Sequence, residues 1–165
     1  PYVRATQIRD AGLFHTPEGI ARLLVPCGEG VIRWEEVLAA LIDQAPRLTL
    51  SIEGIDRSNG ELPLYLNDPV WISAHPDMTV AELSEIVRMT NEHELRAEAG
   101  NARSLEVLRQ PVTEDQSLTY ISDSARHLRR CLEALGPLGR LEALDRLDEL
   151  DGLDPLTPLD ADTRS

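Results

Sequence analysis

The chain has 165 residues, enough for one domain with a real hydrophobic core. Its formal charge is −13 at pH 7, from 29 acidic and 16 basic residues, and a chain this acidic repels a phosphate backbone, so we expect no nucleic-acid partner. All 16 basic residues are arginines, which excludes lysine Schiff-base chemistry and a P-loop within this chain.

No stretch approaches the roughly 20 apolar residues of a membrane span, and no signal-peptide pattern is present. We therefore expect a cytoplasmic protein without a membrane partner. Cys27 and Cys131 lie far apart and match no Cys-x-x-Cys spacing, so we expect two reduced thiols that pack as small hydrophobic side chains. Because Pro1 leads almost at once into a strand pattern, we expect the chain to be a piece of a longer protein.

The first elements form a strand, a loop and a helix. Residues 2–8, "YVRATQI", predict a strand, and the glycines and prolines of residues 9–30 predict a long loop with a short helical turn near Glu18–Leu24. From Trp34 the apolar residues follow helical spacing up to Ala45, and Pro46 ends the helix.

The next segment, "RLTLSIEG" at residues 47–54, alternates apolar and small polar residues and predicts a second strand. Strand, loop, helix and strand make one βαβ unit, whose two strands should be parallel. In parallel sheets and barrels the carboxyl ends of the strands carry the chemistry. Arg9, Asp10 and Glu53 follow such ends, so we expect them at the active face.

Residues 55–78 predict a loop that packs against the rest of the chain. "TVAE" at residues 79–82 is a capping box that opens a helix running to about Ala99. A short helix near Ser104–Arg109 follows, and a last core-facing helix ends at Gly136.

The chain ends in an acidic segment, residues 137–165, with a leucine at every third position from Leu138 to Leu159. On a helix this spacing spirals around the surface, so we predict a low-complexity tail. A leucine strip that binds a partner is the alternative.

Single residues leave alternatives open. A glutamate that ends a strand, as Glu53 does, can cap a helix or pair with an arginine instead of doing chemistry. His15 lies in the predicted loop after the first strand, where it either contacts substrate or packs within the loop. His93 and His127 are expected to be ordinary surface or core histidines. Residues 28–30, "GEG", predict a turn at the helix entrance in preference to a phosphate cradle.

Three segments in order, "TQIRDA", "PCGEGVIRW" and "LTLSIEG", resemble the sugar phosphate isomerase/epimerase family, the xylose-isomerase-like TIM barrels. In that family the corresponding segments read like H-[LIV]-K-D, G-E-G-x-[IV]-x-[WF] and L-[ST]-[IL]-E. The resemblance implies an α/β fold, the C-terminal part of a (β/α)8 barrel with its last two parallel strands, their helices and extra C-terminal helices. Residues 1–136 would form this portion, with a long insertion over 55–116.

The resemblance also implies a function, a metal-dependent sugar isomerase or epimerase that works by enediolate-type proton transfer. Glu53 would be both a metal ligand and the catalytic base, and Arg9, Asp10 and His15 would contact substrate. Gln7 stands where the family has a histidine ligand; its amide oxygen would bind a hard cation more weakly. The metal would be Mn, Mg, Co or Zn, and this segment alone would be inactive.

The expected partner is a small sugar, sugar phosphate or polyol, with self-association into a homo-oligomer left open. One alternative is an enzyme like the related endonuclease IV, against which the acidic charge and the missing histidine count. The other is a barrel-derived binding or interaction protein that lost its metal at Gln7.

Overall fold

A computed structural model of the chain describes residues 5–136. The tail over 137–165 and the predicted strand residues before Ala5 lie outside these described residues. Within them the elements follow in the order β1 (Ala5–Ile8), β2 (Asp10–Thr16), β3 (Gly19–Val25), α1 (Trp34–Gln44), β4 (Thr49–Ile52), β5 (Leu62–Leu64), α2 (Pro69–Ala74), α3 (Val80–Glu98), α4 (Leu105–Leu108) and α5 (Glu114–Ala134).

The predicted βαβ unit is confirmed. Strands β1 and β4 pair in parallel, with Gln7 opposite Ser51 and Ile8 opposite Ile52, and α1 lies between them in sequence. Helix α1 ends at Gln44, just before Pro46, as the proline requires.

The prediction of a loop over residues 9–30 is wrong. Strands β2 and β3 form an antiparallel hairpin whose register runs from Asp10 opposite Val25 to Thr16 opposite Gly19, so no helical turn forms at residues 18–24. The strands lack an alternating pattern because consecutive residues of β2 are buried on both faces. Helix α3 packs against β2, and this cover lets apolar residues occupy both faces.

Residues 55–78 are also more ordered than predicted. Strand β5 pairs antiparallel with β3, and α2 begins at an Asp68 cap whose side chain accepts hydrogen bonds from two backbone amides. The expectation that this segment packs fails for α2, because none of its residues is buried; Val70 is 76% exposed.

The three later helices follow their sequence signals. The Thr79–Glu82 capping box opens α3 as predicted, and a second box, Thr113–Gln116, opens α5. Gly100 follows the end of α3 with a φ of +75°. Glycine adopts this left-handed conformation without the steric strain that a Cβ would cause, so the helix can end there.

The main hydrophobic core covers one face of the parallel pair. Helices α1 and α5 supply it together with β1, through Ile8, Trp34, Leu38, Leu128, Cys131 and Leu132. Leu50 and Ile52 of β4 pack against the same core. The parallel pair therefore has one face covered by helices.

The fold is mixed α/β, as predicted. Its sheets within residues 5–136 have two and three strands, and no closed barrel forms there. None of the helices in this part of the chain combines the length and the apolar composition that crossing a bilayer requires.

Candidate functional site at the carboxyl ends of the parallel strands

The two parallel strands end side by side. The Glu53 amide donates to the Ile8 carbonyl at 3.1 Å, so the register of the pair continues one step beyond β4. Arg9 and Glu53 are therefore the first residues after two neighbouring strands that run in the same direction. This is the edge where parallel sheets carry their functional groups.

Polar side chains share the face of the pair that the helices leave open. Gln7 and Ser51 are exposed, whereas their neighbours Ile8 and Ile52 pack towards the helices. Side chains alternate between the two faces of a strand, so Arg9 and Glu53 lie on the same side as Gln7 and Ser51. We call these four residues the open face.

Arg9 and Glu53 form a two-point ion pair on the open face. The Arg9 Nε donates to Glu53 Oε2, and Nη2 contacts Oε1. The side chains are 40% and 27% exposed, so solvent screens the attraction and the net contribution to stability is about 0–1 kcal/mol. A carboxylate can end this apolar strand because a counter-charge stands at the end of its neighbour.

Asp10 has a different environment from its neighbour Arg9. It is fully buried, and its Oδ2 accepts hydrogen bonds from the Gly28 and Gly30 amides and from Trp34 Nε1. Oδ1 accepts from the Ala11 and Ile32 amides. With five donors supplied by the protein, the carboxylate holds the loop before α1 in place. Contact between Asp10 and substrate stays a prediction, which the complete burial of the side chain does not favour.

The "GEG" turn wraps around that carboxylate. A Cβ on Gly30 would lie 2.0 Å from Asp10 Oδ1, and Gly28 has a φ of +92° with the His127 ring 2.3 Å from where its Cβ would be. Glycine is therefore needed at both positions for close approach. This supports the predicted turn at the helix entrance.

His15 lies away from the open face. It is on β2, five residues beyond Asp10, which at about 3.3 Å per residue is roughly 17 Å along the strand. Glu94 of α3 accepts from the His15 backbone amide and contacts its Nδ1, both at 2.7 Å. Contact between His15 and substrate remains a prediction.

The open face fits part of a metal site. Glu53 offers carboxylate oxygens and Gln7 an amide oxygen, which are ligands that hard divalent cations accept, but such cations take about six or more oxygens. Across residues 5–136, Glu53 belongs to no group of three or more His, Cys, Asp or Glu donor atoms close enough to share an ion. Gln7 and Glu53 would therefore be two ligands among several.

A different group of donors, not predicted from the sequence, lies among the helices. The Cys131 Sγ is 3.4 Å from His127 Nε2 and 3.4 Å from Glu35 Oε1. The sequence predicts an ordinary histidine at His127, but Cys131 follows it four residues later, on the same face of a helix. That His-x-x-x-Cys spacing was the available signal; the third donor comes from α1 and only the fold reveals it.

The two cysteines are buried as predicted but have different neighbours. Burial raises the pKa of the Cys27 thiol to about 12, opposed by the Ser124 hydroxyl. Burial, and after it the Glu35 carboxylate, raise the pKa of Cys131 to about 11. The pKa of Glu35 itself is lowered by its own backbone amide and by the Cys131 thiol.

A cavity of about 410 Å³ adjoins this helical group. Glu35 and His127 line it, together with the loop before α1 and one side of α3. His93 of α3 also lines it; the residue is 1% exposed, and neither ring nitrogen has a hydrogen-bond partner in residues 5–136. Burial lowers the pKa of His93, which favours the neutral ring.

Comparison with known proteins gives no relative from which a function can be transferred. No family model, no curated protein and no solved structure matches the chain.

Proposed function

We propose that this protein is a metal-dependent isomerase or epimerase that acts on a sugar, a sugar phosphate or a polyol. In this proposal β1 and β4 are the last two strands of a (β/α)8 barrel. The observation that carries it is the open face, where Gln7, Arg9 and Glu53 stand together at the carboxyl ends of two parallel strands.

The layering of the parallel pair supports the barrel. Helices α1 and α5 cover one face, as outer helices do in such barrels, and polar residues occupy the other face, which would point inward. Within residues 5–136, β1 and β4 each pair along one edge only. The opposite edge of each strand is where a further strand of the barrel would add.

Glu53 is the proposed base. Its carboxylate would take the proton from the carbon next to the substrate carbonyl, and the C–H electron pair would form the double bond of an enediolate as the carbonyl π pair moves onto oxygen. After the Glu53 carboxyl exchanges its proton with solvent, it would return a proton to a carbon of that unit. The divalent cation, with Glu53 and Gln7 among its ligands, would supply electrostatic stabilisation of the oxygens.

Arg9 is the proposed substrate-binding group. Its guanidinium presents a planar fork of donors that matches a phosphate or a pair of sugar oxygens. Since the exposed ion pair with Glu53 contributes only about 0–1 kcal/mol, a bound substrate can compete with it. Opening the pair would free the carboxylate for proton transfer.

A non-catalytic sugar-binding protein is the second candidate. Two observations favour it: the Glu53 carboxylate is already bound by Arg9, and Gln7 stands where the resembled enzymes have a histidine. In this case Arg9 and Gln7 would bind sugar hydroxyls without proton transfer.

The test is isotope exchange in the full-length protein. Keto and aldo sugars and their phosphates are incubated with the protein and Mn²⁺ or Mg²⁺ in D₂O, and the loss of the C–H signal next to the carbonyl is followed by proton NMR. We expect exchange in the wild type and at least a roughly 100-fold slower rate in Glu53→Gln. The matched control is Glu61→Gln, which opens a similar exposed pair with Arg109 and should leave the rate unchanged.

Two results would contradict the proposal. Exchange that persists in Glu53→Gln would remove the base assignment. Sugar binding by the wild type without any exchange would favour the binding protein.

A further inference from the structure

Three metal-binding side chains from two helices converge on the helix-covered side of the parallel pair. Glu35 lies in the first turn of α1, and His127 and Cys131 lie one turn apart on α5. Their donor atoms all lie within 4.8 Å of one another. None of them belongs to the open face, which is on the other side of the sheet.

The spacing of the donors suits a tetrahedral metal. For a zinc ion with bonds of about 2.3 Å to sulfur and about 2.0–2.2 Å to nitrogen or oxygen, neighbouring tetrahedral donors stand about 3.6 Å apart across sulfur. The Sγ of Cys131 is 3.4 Å from both His127 Nε2 and Glu35 Oε1. Small side-chain movements would bring all three donors to bonding distance.

The chemistry of the set selects the metal class. One sulfur, one imidazole nitrogen and one carboxylate oxygen are ligands that Zn²⁺ accepts together, whereas Mg²⁺ and Ca²⁺ require oxygen. We propose that Glu35, His127 and Cys131 form a zinc site with three protein ligands and one open position, separate from the metal of the proposed isomerase. The Cys131 thiol loses its proton to solvent as the zinc–sulfur bond forms.

The surroundings provide an entry path and room for a fourth ligand. Cys131 is 3% exposed, but Glu35 is exposed and His127 is half-buried, and both border the 410 Å³ cavity. His93 also lines the cavity, but its ring packs against Gly12 and Phe14 of β2.

The site is tested by metal binding to the full-length protein under reducing conditions. The chelator-stripped protein is titrated with Zn²⁺, and with Co²⁺ as a spectroscopic substitute. We expect near-ultraviolet thiolate-to-cobalt charge-transfer absorption, lost in Cys131→Ser. Zinc affinity should fall in Cys131→Ser and in His127→Gln by more than the roughly 10–100-fold that loss of an outer-shell partner costs.

Matched controls separate the site from any other thiol or histidine. Cys27→Ser removes the other buried cysteine, and His75→Gln removes an exposed histidine; both should keep the absorption and the affinity. Because His127 is half-buried, His127→Gln remains informative if Cys131→Ser fails to fold.

The outcomes also distinguish this site from the proposed function. Glu53→Gln should leave the cobalt absorption unchanged, whatever its effect on isotope exchange. Absence of the absorption in the wild type, its survival in Cys131→Ser, or an unchanged zinc affinity in His127→Gln would overturn the zinc site without bearing on the isomerase.

Discussion

Arg9 binds the carboxylate of Glu53 through two guanidinium nitrogens. The charged residues that follow two neighbouring parallel strands therefore neutralise each other. The pair joins positions 44 residues apart in sequence. It can be a fixed structural bridge or a pair that substrate opens, and its coupling energy separates these cases.

We expect the Arg9–Glu53 pair to contribute little to folding. In a double-mutant cycle of Arg9→Gln and Glu53→Gln, measured by urea unfolding, the coupling should be no more than about 1 kcal/mol, because both side chains are partly solvated. The cycle for Arg109 and Glu61, another exposed two-point pair, should give a similar value. A coupling above roughly 2 kcal/mol would mark a structural bridge and weaken the case for Glu53 as a base.

Replacing Asp10 should destabilise the fold strongly. In Asp10→Asn an amide NH₂ replaces one carboxylate oxygen, so at least two of the five protein donors would face another donor in the interior. We expect a loss of about 3–5 kcal/mol in the free energy of unfolding. The exposed Asp43→Asn should stay within about 0.5 kcal/mol; equal effects at the two positions would refute the role given to the buried carboxylate.

Gly30 should tolerate no side chain. In Gly30→Ala the new Cβ would lie 2.0 Å from Asp10 Oδ1 and 2.5 Å from the Ala11 carbonyl oxygen, neither of which can move without breaking the buried network. We expect a loss of at least about 2 kcal/mol by thermal or urea unfolding. Gly54→Ala is the control, since its Cβ would meet only the flexible end of Ile121, at 3.3 Å. A Gly30→Ala variant as stable as Gly54→Ala would contradict the close approach.

His93 should make the protein sensitive to acid. Its pKa is lowered in the folded state, first by burial and then by Arg96, while Asp10 and Glu94 act in the opposite direction. Below pH 6.5, the ordinary histidine pKa, the unfolded chain therefore binds a proton at His93 that the folded chain does not bind. The contribution of neutral His93 to the free energy of unfolding is complete above pH 6.5. It is lost as the pH falls from 6.5 to the lowered pKa of the folded state.

The check is the pH dependence of the unfolding free energy in His93→Gln. We expect a shallower fall below pH 6.5 than in the wild type, whereas exposed His75→Gln should retain the wild-type slope. If the His93 variant keeps the full slope, other groups carry the acid sensitivity. Since Phe14 stacks edge-on against the His93 ring at 4.9 Å, absolute stabilities will also differ, and the slopes are the quantity to compare.

The sequence predicted those parts of the fold whose signals are local. Each of these signals lies within a single element: the helical spacing in α1, the Thr79–Glu82 capping box in α3 and the alternation in β4. All three elements are present in the structure. The parallel pairing followed as well, because a helix between two strands leaves few other connections.

The hairpin of β2 and β3 could not be predicted in this way. Alternation reveals a strand only when one face meets solvent, and both faces of β2 are covered because α3 packs on it from about 80 residues away. The glycines and prolines of residues 9–30 therefore predict a loop. Gly12, however, lies within β2, where a side chain would collide with the His93 ring.

The two candidate sites differ in the same way, because one follows from the order of the residues and the other depends on tertiary packing. Residue order alone determined that Gln7, Arg9 and Glu53 meet, since parallel strands bring their carboxyl ends together. Tertiary structure alone decided that Asp10 turns inward to five donors and that Glu35 reaches His127 and Cys131. Those contacts join helices and loops whose mutual placement depends on how side chains fill the core, and no local pattern encodes that.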